Sequence, residues 1–144
     1  MPSFKIFDVA GSGLSAQSVR LNTVASNLAN ADSVSGDPST VYKARHPVFQ
    51  AVQAAMGAAA GAATNGEPNA AVRVAGIVES NAAPTVRYEP GNPLADAAGN
   101  VYAPNVNVIE EMTDMISASR AYQNDVDVMN TSKDLMLATL KLGQ

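Results

Sequence analysis

The chain has 144 residues, of which 47% are apolar and only 5% aromatic, and it carries a net charge of −4. This length fits one small domain, and an acidic balance without a basic face argues against a nucleic-acid partner. Cysteine is absent and histidine occurs once, at His46, so disulfides, thiol chemistry and a histidine-based metal site are excluded, and no cofactor is expected. No apolar run is long enough to span a membrane.

The first residues lack the pattern of a cleaved secretory signal. Asp8 interrupts the apolar residues, and Gly11 and Gly13 follow soon after it. We therefore expect that the protein either stays in the cytoplasm or leaves it by a route that needs no cleaved signal.

Residues 1–30 have the spacing of a long amphipathic helix. Large apolar residues recur every seven positions, at Phe7, Leu14, Leu21 and Leu28. A weaker row lies three residues further on, at Ala10, Gln17 and Val24. Gly11 and Gly13 each disfavour a helix by about 1 kcal/mol relative to alanine, so they predict either a break or a close approach to a neighbouring backbone.

Asparagines are dense at the end of this helix, at Asn22, Asn27 and Asn30. Asparagine is a poor helix former because its side chain competes for backbone hydrogen bonds. One interpretation is a fraying helix end with Asn30 as a left-handed cap. The other is that these amides bind specific partners in a neighbouring chain. Both interpretations stay open for Asn30, whereas the second is favoured for Asn27.

Residues 31–106 form the middle of the chain, and their pattern predicts a small β element of about three strands. The predicted extended segments cover residues 42–49, 71–79 and 84–88. Pro47 restricts the first of them to the edge of a sheet because proline has no N–H to donate. Residues 91–106 are predicted as an extended connector with a tight turn at Gly99.

A stretch near residues 51–70 is rich in alanine and glycine. It holds no large side chain beyond Val52 and Met56, so it has little to anchor it to a core. We predict a flexible loop there.

Residues 107–144 predict a second, longer amphipathic helix with Asn107 as its N-cap. One row of its residues recurs every seven positions, at Val108, Met115, Tyr122, Met129 and Met136. A second row lies four residues after the first, at Met112, Ser119, Val126, Lys133 and Leu140. Together the two rows have the spacing of a coiled-coil seam with two polar interruptions.

Three carboxylates lie near the start of this helix, at Glu110, Glu111 and Asp114. We interpret them as residues that favour the positive end of the helix dipole. A catalytic or metal-binding cluster is the alternative, but neighbouring residues point about 100° apart on a helix, so the three do not share one face. We therefore expect no enzyme activity.

The predicted fold class is mainly α with a small β element. The helices of residues 1–30 and 107–144 pair as an antiparallel coiled coil, and residues 31–106 form the short β-containing middle. Two helices leave one side of each stripe uncovered, so other chains must cover it. The residues expected in subunit packing are Phe7, Leu14, Leu21, Val24, Asn27, Leu28, Asn30, Val108, Met112, Met115, Tyr122, Val126, Met129, Met136 and Leu140.

Two sequence motifs, one near each end of the chain, resemble those of a known family. Residues 13–31, GLSAQSVRLNTVASNLANA, and residues 105–123, NVNVIEEMTDMISASRAYQ, resemble the N- and C-terminal signatures of the bacterial flagellar axial proteins. Residues 42–49 and 86–96 are similar to the middle of the short proximal-rod members, whereas the stretch near 51–70 looks like an insertion.

The resemblance implies a structural subunit of the flagellar proximal rod. Such a subunit would assemble with its own copies and with other proximal and distal rod proteins into a helical tube that transmits torque and carries an export channel. It would reach the periplasmic rod of the basal body unfolded, without a cleaved signal, and meet the junction of membrane ring and export gate. The alternatives are another flagellar rod subunit, or a coiled-coil adaptor or secretion chaperone.

Overall fold

A computed structural model describes residues 2–53 and 70–142 of the chain. Along the sequence, a long helix comes first, four short strands follow, and a second long helix comes last. The elements are α1 (Pro2–Asn30), β1 (Arg45–Gln53), β2 (Ala70–Glu79), β3 (Thr85–Tyr88), β4 (Asn100–Ala103) and α2 (Val108–Leu142). The predicted combination of two long helices with small β elements between them is confirmed. The expected three strands are wrong, since four strands form two separate antiparallel pairs.

The helix α1 is continuous through Gly11 and Gly13, so the predicted break is wrong. A Cβ atom at Gly13 would lie 2.7 Å from Oδ2 of Asp125 in α2, whereas Gly11 has open space around it. The close approach expected from these glycines is therefore made at Gly13, and it is made to a side chain.

An asparagine lies at the end of α1 and another at the start of α2, and the two side chains make different hydrogen bonds. No residue other than glycine has a positive φ in the described part of the chain, so Asn30 is not the left-handed cap of α1. Its Nδ2 instead donates to the Ser26 carbonyl oxygen, one turn earlier, at 2.8 Å. At the start of α2, Oδ1 of Asn107 accepts the N–H of Ile109 at 3.2 Å, which confirms the predicted N-cap.

The two helices lie side by side and run in opposite directions. Going back along α1, Asn27 contacts Glu111, and Gly13 lies beside Asp125. Near the first turn of α1, Ile6 lines a cavity together with Leu135 and other residues near the end of α2. The contact is made by small side chains, because the buried apolar residues of the helices are Ala10, Ala16, Val24 and Ala118. Coiled-coil packing of this pair stays a prediction.

The strands β1 and β2 form an antiparallel hairpin with a bulge between Val48 and Phe49. This hairpin lies along α1, where the Val72 N–H donates to Oγ of Ser12 at 3.1 Å. The predicted flexible loop near 51–70 is corrected at both ends, because Gln53 still belongs to β1 and Ala70 to β2. Residues 54–69, which hold the rest of that loop, lie outside the described residues.

The strand β4 lies in the segment that was predicted as a connector. Its side chains alternate between half-buried and buried, with Val101 and Ala103 pointing into the core. The turn before it is tight, as expected: Gly99 has a φ of 82°, and Asp96 Oδ1 accepts the N–H of Asn100 at 2.9 Å. Four residues give too short an alternation for a pattern to be recognised.

The loop after α1 is fixed to this second sheet. Ser35 pairs with Tyr102 through two backbone hydrogen bonds of 2.9 and 2.8 Å. Gly36 passes so close to the backbone of residue 94 that a Cβ atom there would lie 2.5 Å from the Leu94 carbonyl oxygen. Neither described helix is long and apolar enough to cross a lipid bilayer.

Replacement of Gly36 by alanine should destabilise the chain by about 1–3 kcal/mol, because the added methyl group would meet a backbone atom that has little room to move. Gly91→Ala is the matched control, since a Cβ atom there meets nothing within 4 Å. Urea unfolding followed by circular dichroism measures both. Equal midpoints for the two variants would contradict the close approach at Gly36.

Candidate functional site

The side chain of Asn27 is the most completely enclosed polar group of the described chain, with 0% of its surface exposed. Its Nδ2 donates to the Arg45 carbonyl oxygen and to Oε1 of Glu111, both at 2.8 Å. Its Oδ1 accepts the Tyr42 hydroxyl and the Arg45 N–H, both at 2.9 Å. These four bonds use both protons of the amide and both lone pairs of its oxygen. We call Asn27, Tyr42, Arg45 and Glu111 the polar junction.

The polar junction joins three parts of the chain that are far apart in sequence. Asn27 lies near the end of α1, Tyr42 and Arg45 lie where the chain enters β1, and Glu111 lies in the first turns of α2. The side-chain amide of Asn27 forms hydrogen bonds with both the backbone N–H and the backbone carbonyl of Arg45, as the backbone of a neighbouring strand would. The Arg45 guanidinium also lies 5.6 Å from the centre of the Tyr42 ring.

A second amide repeats this arrangement beside the junction. Oδ1 of Asn105 accepts the Ala44 N–H at 2.9 Å, and its Nδ2 donates to the Ala82 carbonyl oxygen at 2.8 Å. The segment before α2 is therefore fastened to both ends of the β1–β2 hairpin region. Two asparagine side chains therefore hold the start of α2: Asn27 of α1 and Asn105 of the segment that precedes α2.

Glu111, which was interpreted as a residue that favours the positive end of the helix dipole, is buried, with 5% of its surface exposed. Its Oε1 accepts from Asn27, but its Oε2 is buried without a partner among the described residues. Burial raises the pKa of Glu111 above the ordinary value of 4.5, and the negative charges of Asp114 and Glu110 raise it further. The Asn27 hydrogen bond and the nearby His46 act in the opposite direction.

The two other carboxylates of this region have separate positions. Asp114 forms an ion pair of 2.8 Å with Arg20 of α1, and both side chains are partly exposed to solvent. Glu110 is exposed. Within residues 2–53 and 70–142, no three histidine or carboxylate side chains lie close enough together to hold a metal ion.

The residues predicted for subunit packing are spread over the full range of burial. Val24 and Asn27 are buried. The half-buried members are Phe7, Leu14, Leu21, Leu28, Asn30, Met115, Val126, Met129 and Met136. The exposed members are Val108, Met112, Tyr122 and Leu140. Asn27 has no hydrogen-bonding group left for another chain, so the partners predicted for it in a neighbouring chain lie within its own chain.

The helix α2 turns only one of the two rows of its predicted seam towards α1, the row of Met115, whose Met136 lines the same cavity as Ile6. The other row that faces α1 is Glu111, Ala118, Asp125 and Ser132. In the row of Met112, Met112 is 51% and Leu140 63% exposed, whereas Val126 is half-buried. The side of α2 that faces α1 is therefore rotated by about 50° around the helix axis from the predicted seam, because the row of Glu111 takes the place of the row of Met112.

This rotation leaves large apolar side chains on the outside. At the start of α2 these are Val108, Ile109, Met112 and Ile116, which we call the outer face. A second exposed group lies near the end of the helix, at Leu135, Leu137, Leu140 and Leu142. The residues of the outer face lie within about 100° of one another around the helix, and contiguous exposed apolar surface of this kind marks sites of protein–protein contact.

Sequence reasoning found Asn27 and the apolar rows but not the partners of Asn27. Glu111 was missed because a hydrophobic period does not register a row made of glutamate, alanine, aspartate and serine. The available signal was the same seven-residue spacing, read for small and polar residues instead of apolar ones. Tyr42 and Arg45 gave no local signal, since their partners are distant in sequence.

Two family models match the chain, one over each helix. The model described as "Flagella basal body rod protein" matches residues 7–36, and the model described as "Flagellar basal body rod FlgEFG protein C-terminal" matches residues 97–142. Two antiparallel helices that carry these two signatures and an uncovered apolar face define a flagellar rod-type protein.

Full-length relatives make the assignment more specific. The chain is 55% identical to "Flagellar basal-body rod protein FlgC" of Escherichia coli O6:H1, 54% identical to that of Salmonella typhimurium and 32% identical to that of Bacillus subtilis. Each comparison covers 100% of this chain and 100% of the relative. The chain belongs to the FlgC family of flagellar basal-body rod proteins.

Replacement of Asn27 by alanine should destabilise the chain by about 3 kcal/mol or more, because it leaves several buried groups without a partner, each at about 1–3 kcal/mol. Asn22→Ala is the matched control, since Asn22 is an exposed asparagine of the same helix. The measurement is urea unfolding. A loss no larger than that of the control would show that water replaces the amide without penalty.

The burial of Glu111 predicts a pH dependence with a defined sign. Because the folded-state pKa lies above 4.5, the folded chain holds this proton more tightly than the unfolded chain. The stability that the proton contributes is fully present below pH 4.5 and is lost as the pH rises through the raised pKa. The lowered pKa values of Asp37 and Asp96 act with the opposite sign, so their contribution is lost as the pH falls below 3.8.

Glu111→Gln should therefore remove the part of the stability decrease that lies above pH 4.5 and should be more stable than the parent chain at neutral pH. Glu110→Gln removes a charge from the adjacent exposed position and is the control. The measurement is the free energy of unfolding of all three chains across a pH series. Parallel curves for the parent and Glu111→Gln would contradict a perturbed Glu111.

Proposed function

We propose that the chain is a structural subunit of the proximal part of the flagellar rod, and that its helices pack against those of neighbouring subunits in the wall of a helical tube. The observation that carries this proposal is the outer face of α2. Ile109 is 78% exposed, Ile116 55% and Met112 51%, although the helix packs a row of small and polar residues against α1.

An energetic argument supports intermolecular packing. Apolar surface removed from water contributes about 25 cal/mol per Å², so exposed isoleucine and methionine side chains are the groups with most to gain from a partner. Within the described residues, the fully buried large side chains are only Val101 and Asn27. The buried apolar side chains of the described chain are alanines and valines, so the exposed isoleucine, leucine and methionine side chains are available for contacts with other chains.

The proposed partners are copies of the same chain, other proximal and distal rod proteins, and the junction of membrane ring and export gate. In such an assembly the two apolar rows of α2 are completed as coiled-coil seams by helices of the neighbours. The proposed location is the periplasmic rod of the basal body, reached through the flagellar export channel as an unfolded chain. The completed tube transmits torque and keeps a channel open for later subunits.

The alternatives explain less. A coiled-coil adaptor or a secretion chaperone needs the heptads but not the full-length similarity to rod proteins of three genera. A catalytic role has no support in the names of the relatives, which are those of rod proteins.

Met112→Asp should block assembly and leave folding intact, because Met112 is exposed in the single chain and its new charge meets water until a neighbour covers it. Burying that unpaired charge at an interface costs several kcal/mol, and every added copy repeats the cost. Thr113→Asp is the matched control, with the same charge one residue away at an exposed position.

The test is complementation of a flagellated host that lacks its own FlgC, with swarming, protein level and isolated basal bodies as readouts. We expect loss of swarming and of complete rods for Met112→Asp at a normal protein level, and near-normal swarming for Thr113→Asp. Complete rods built from Met112→Asp subunits would refute a packing role for the outer face.

A further inference from the structure

We propose that the hydrogen bond between Asn27 and Glu111 sets the rotation of α2 about its own axis, and thereby turns Met112 and Ile116 to the outside. The pair acts as a specificity device: it selects one of two ways in which α2 can pack on α1. The rotation itself is a property of the single chain. Its consequence for assembly rests on the function proposed above.

Apolar periodicity alone favours a different rotation of α2. The row of Met115 has the most large apolar residues. Of the two rows that lie three or four residues from it, the row of Met112 has three large apolar residues and the row of Glu111 has none, so a helix that buries its most apolar side would turn the rows of Met115 and Met112 towards α1. The structure instead combines the Met115 row with the row of Glu111. The row of Glu111 offers a glutamate, an alanine, an aspartate and a serine, of which the first two are buried and the last two half-buried. The row of Met112 offers methionine, valine and leucine besides a serine and a lysine, and its methionine and leucine are exposed.

The other contacts between the helices do not select this rotation strongly. Ala10 and Ala118 are small and offer no shape that only one partner row fits. The Arg20–Asp114 ion pair is partly exposed, and exposed ion pairs contribute little. Asp125 lies against Gly13, where any small side chain has room once the carboxylate is gone.

The Asn27–Glu111 contact differs from these contacts because it is buried and because its hydrogen bond requires one particular orientation of α2. Both side chains are nearly or fully inaccessible, and the bond of 2.8 Å forms only when the Glu111 row faces α1. In the alternative rotation Asn27 would face Met112 and lose the acceptor for one of its protons. A buried polar group of this kind fixes the geometry of a helix pair, as a buried asparagine fixes register in coiled coils, and it does so at a cost in stability.

The absence of cysteine from the sequence allows a direct test by disulfide crosslinking. Gly13→Cys with Asp125→Cys reports the observed rotation, because a Cβ atom at Gly13 would lie 3.2 Å from Asp125 Cγ. Gly13→Cys with Val126→Cys reports the alternative rotation. The ratio of the two intrachain crosslink yields, measured in full-length dilute chains, is the readout, and we expect the first pair to lead by about tenfold.

Glu111→Leu removes the acceptor, and the yield ratio should then fall by about tenfold, towards equality. Glu111→Gln keeps an acceptor oxygen for Asn27 and should leave the ratio unchanged. Arg20→Met removes the ion pair and should also leave it unchanged. Asn27→Ser, whose side chain is too short to reach Glu111, should repeat the effect of Glu111→Leu from the other helix.

An unchanged ratio in both Glu111→Leu and Asn27→Ser would overturn the proposal, as would an equal change in Arg20→Met. Loss of both crosslinks in the two variants would overturn it as well, because the pair would then hold the fold together rather than choose between rotations. Swarming separates this inference from the proposed function. If Glu111→Leu shifts the crosslinks but swarms normally, the rotation is set as proposed and the role of the outer face in assembly fails.

Discussion

The amide of Asn27 connects the end of α1, the entry into β1 and the first turns of α2 through four hydrogen bonds. Each such bond contributes only about 0.5–1.5 kcal/mol net, but each leaves a buried group unsatisfied when it is lost. The polar junction is important for the fold because few other side chains of the described chain are deeply buried. The buried apolar side chains are alanines and valines, so the four directional bonds of Asn27 are what fixes the relative positions of these three segments most specifically.

The helices contact each other through small residues, and as a consequence many large apolar residues remain on the outside. Alanine and glycine let α1 and α2 approach closely, but they remove little apolar surface from water. The methionines and isoleucines of the described residues, which could have made a larger core, are half-buried or exposed. The described part of a single chain therefore leaves large apolar side chains in contact with water, and the proposed packing against other chains would cover them.

The sequence predicts well what depends on long apolar periods and poorly what depends on a single contact. Both helices and the Asn107 cap follow from periods sustained over many turns and from local capping rules. The rotation of α2 does not, because one hydrogen bond from Asn27 outweighs the apolar preference for Met112. The strand β4 was missed because its pairing with β3 and with Ser35 comes from tertiary structure and not from its four residues.

The two family signatures depend on each other physically, although they match the chain separately. Asn27 lies in the segment 7–36 and Glu111 in the segment 97–142. A glutamate at the Glu111 position is solvated in an isolated helix and becomes buried only when the asparagine of the other segment supplies a donor. Each signature therefore encodes half of one buried contact, and the middle of the chain only has to bring β1 to it.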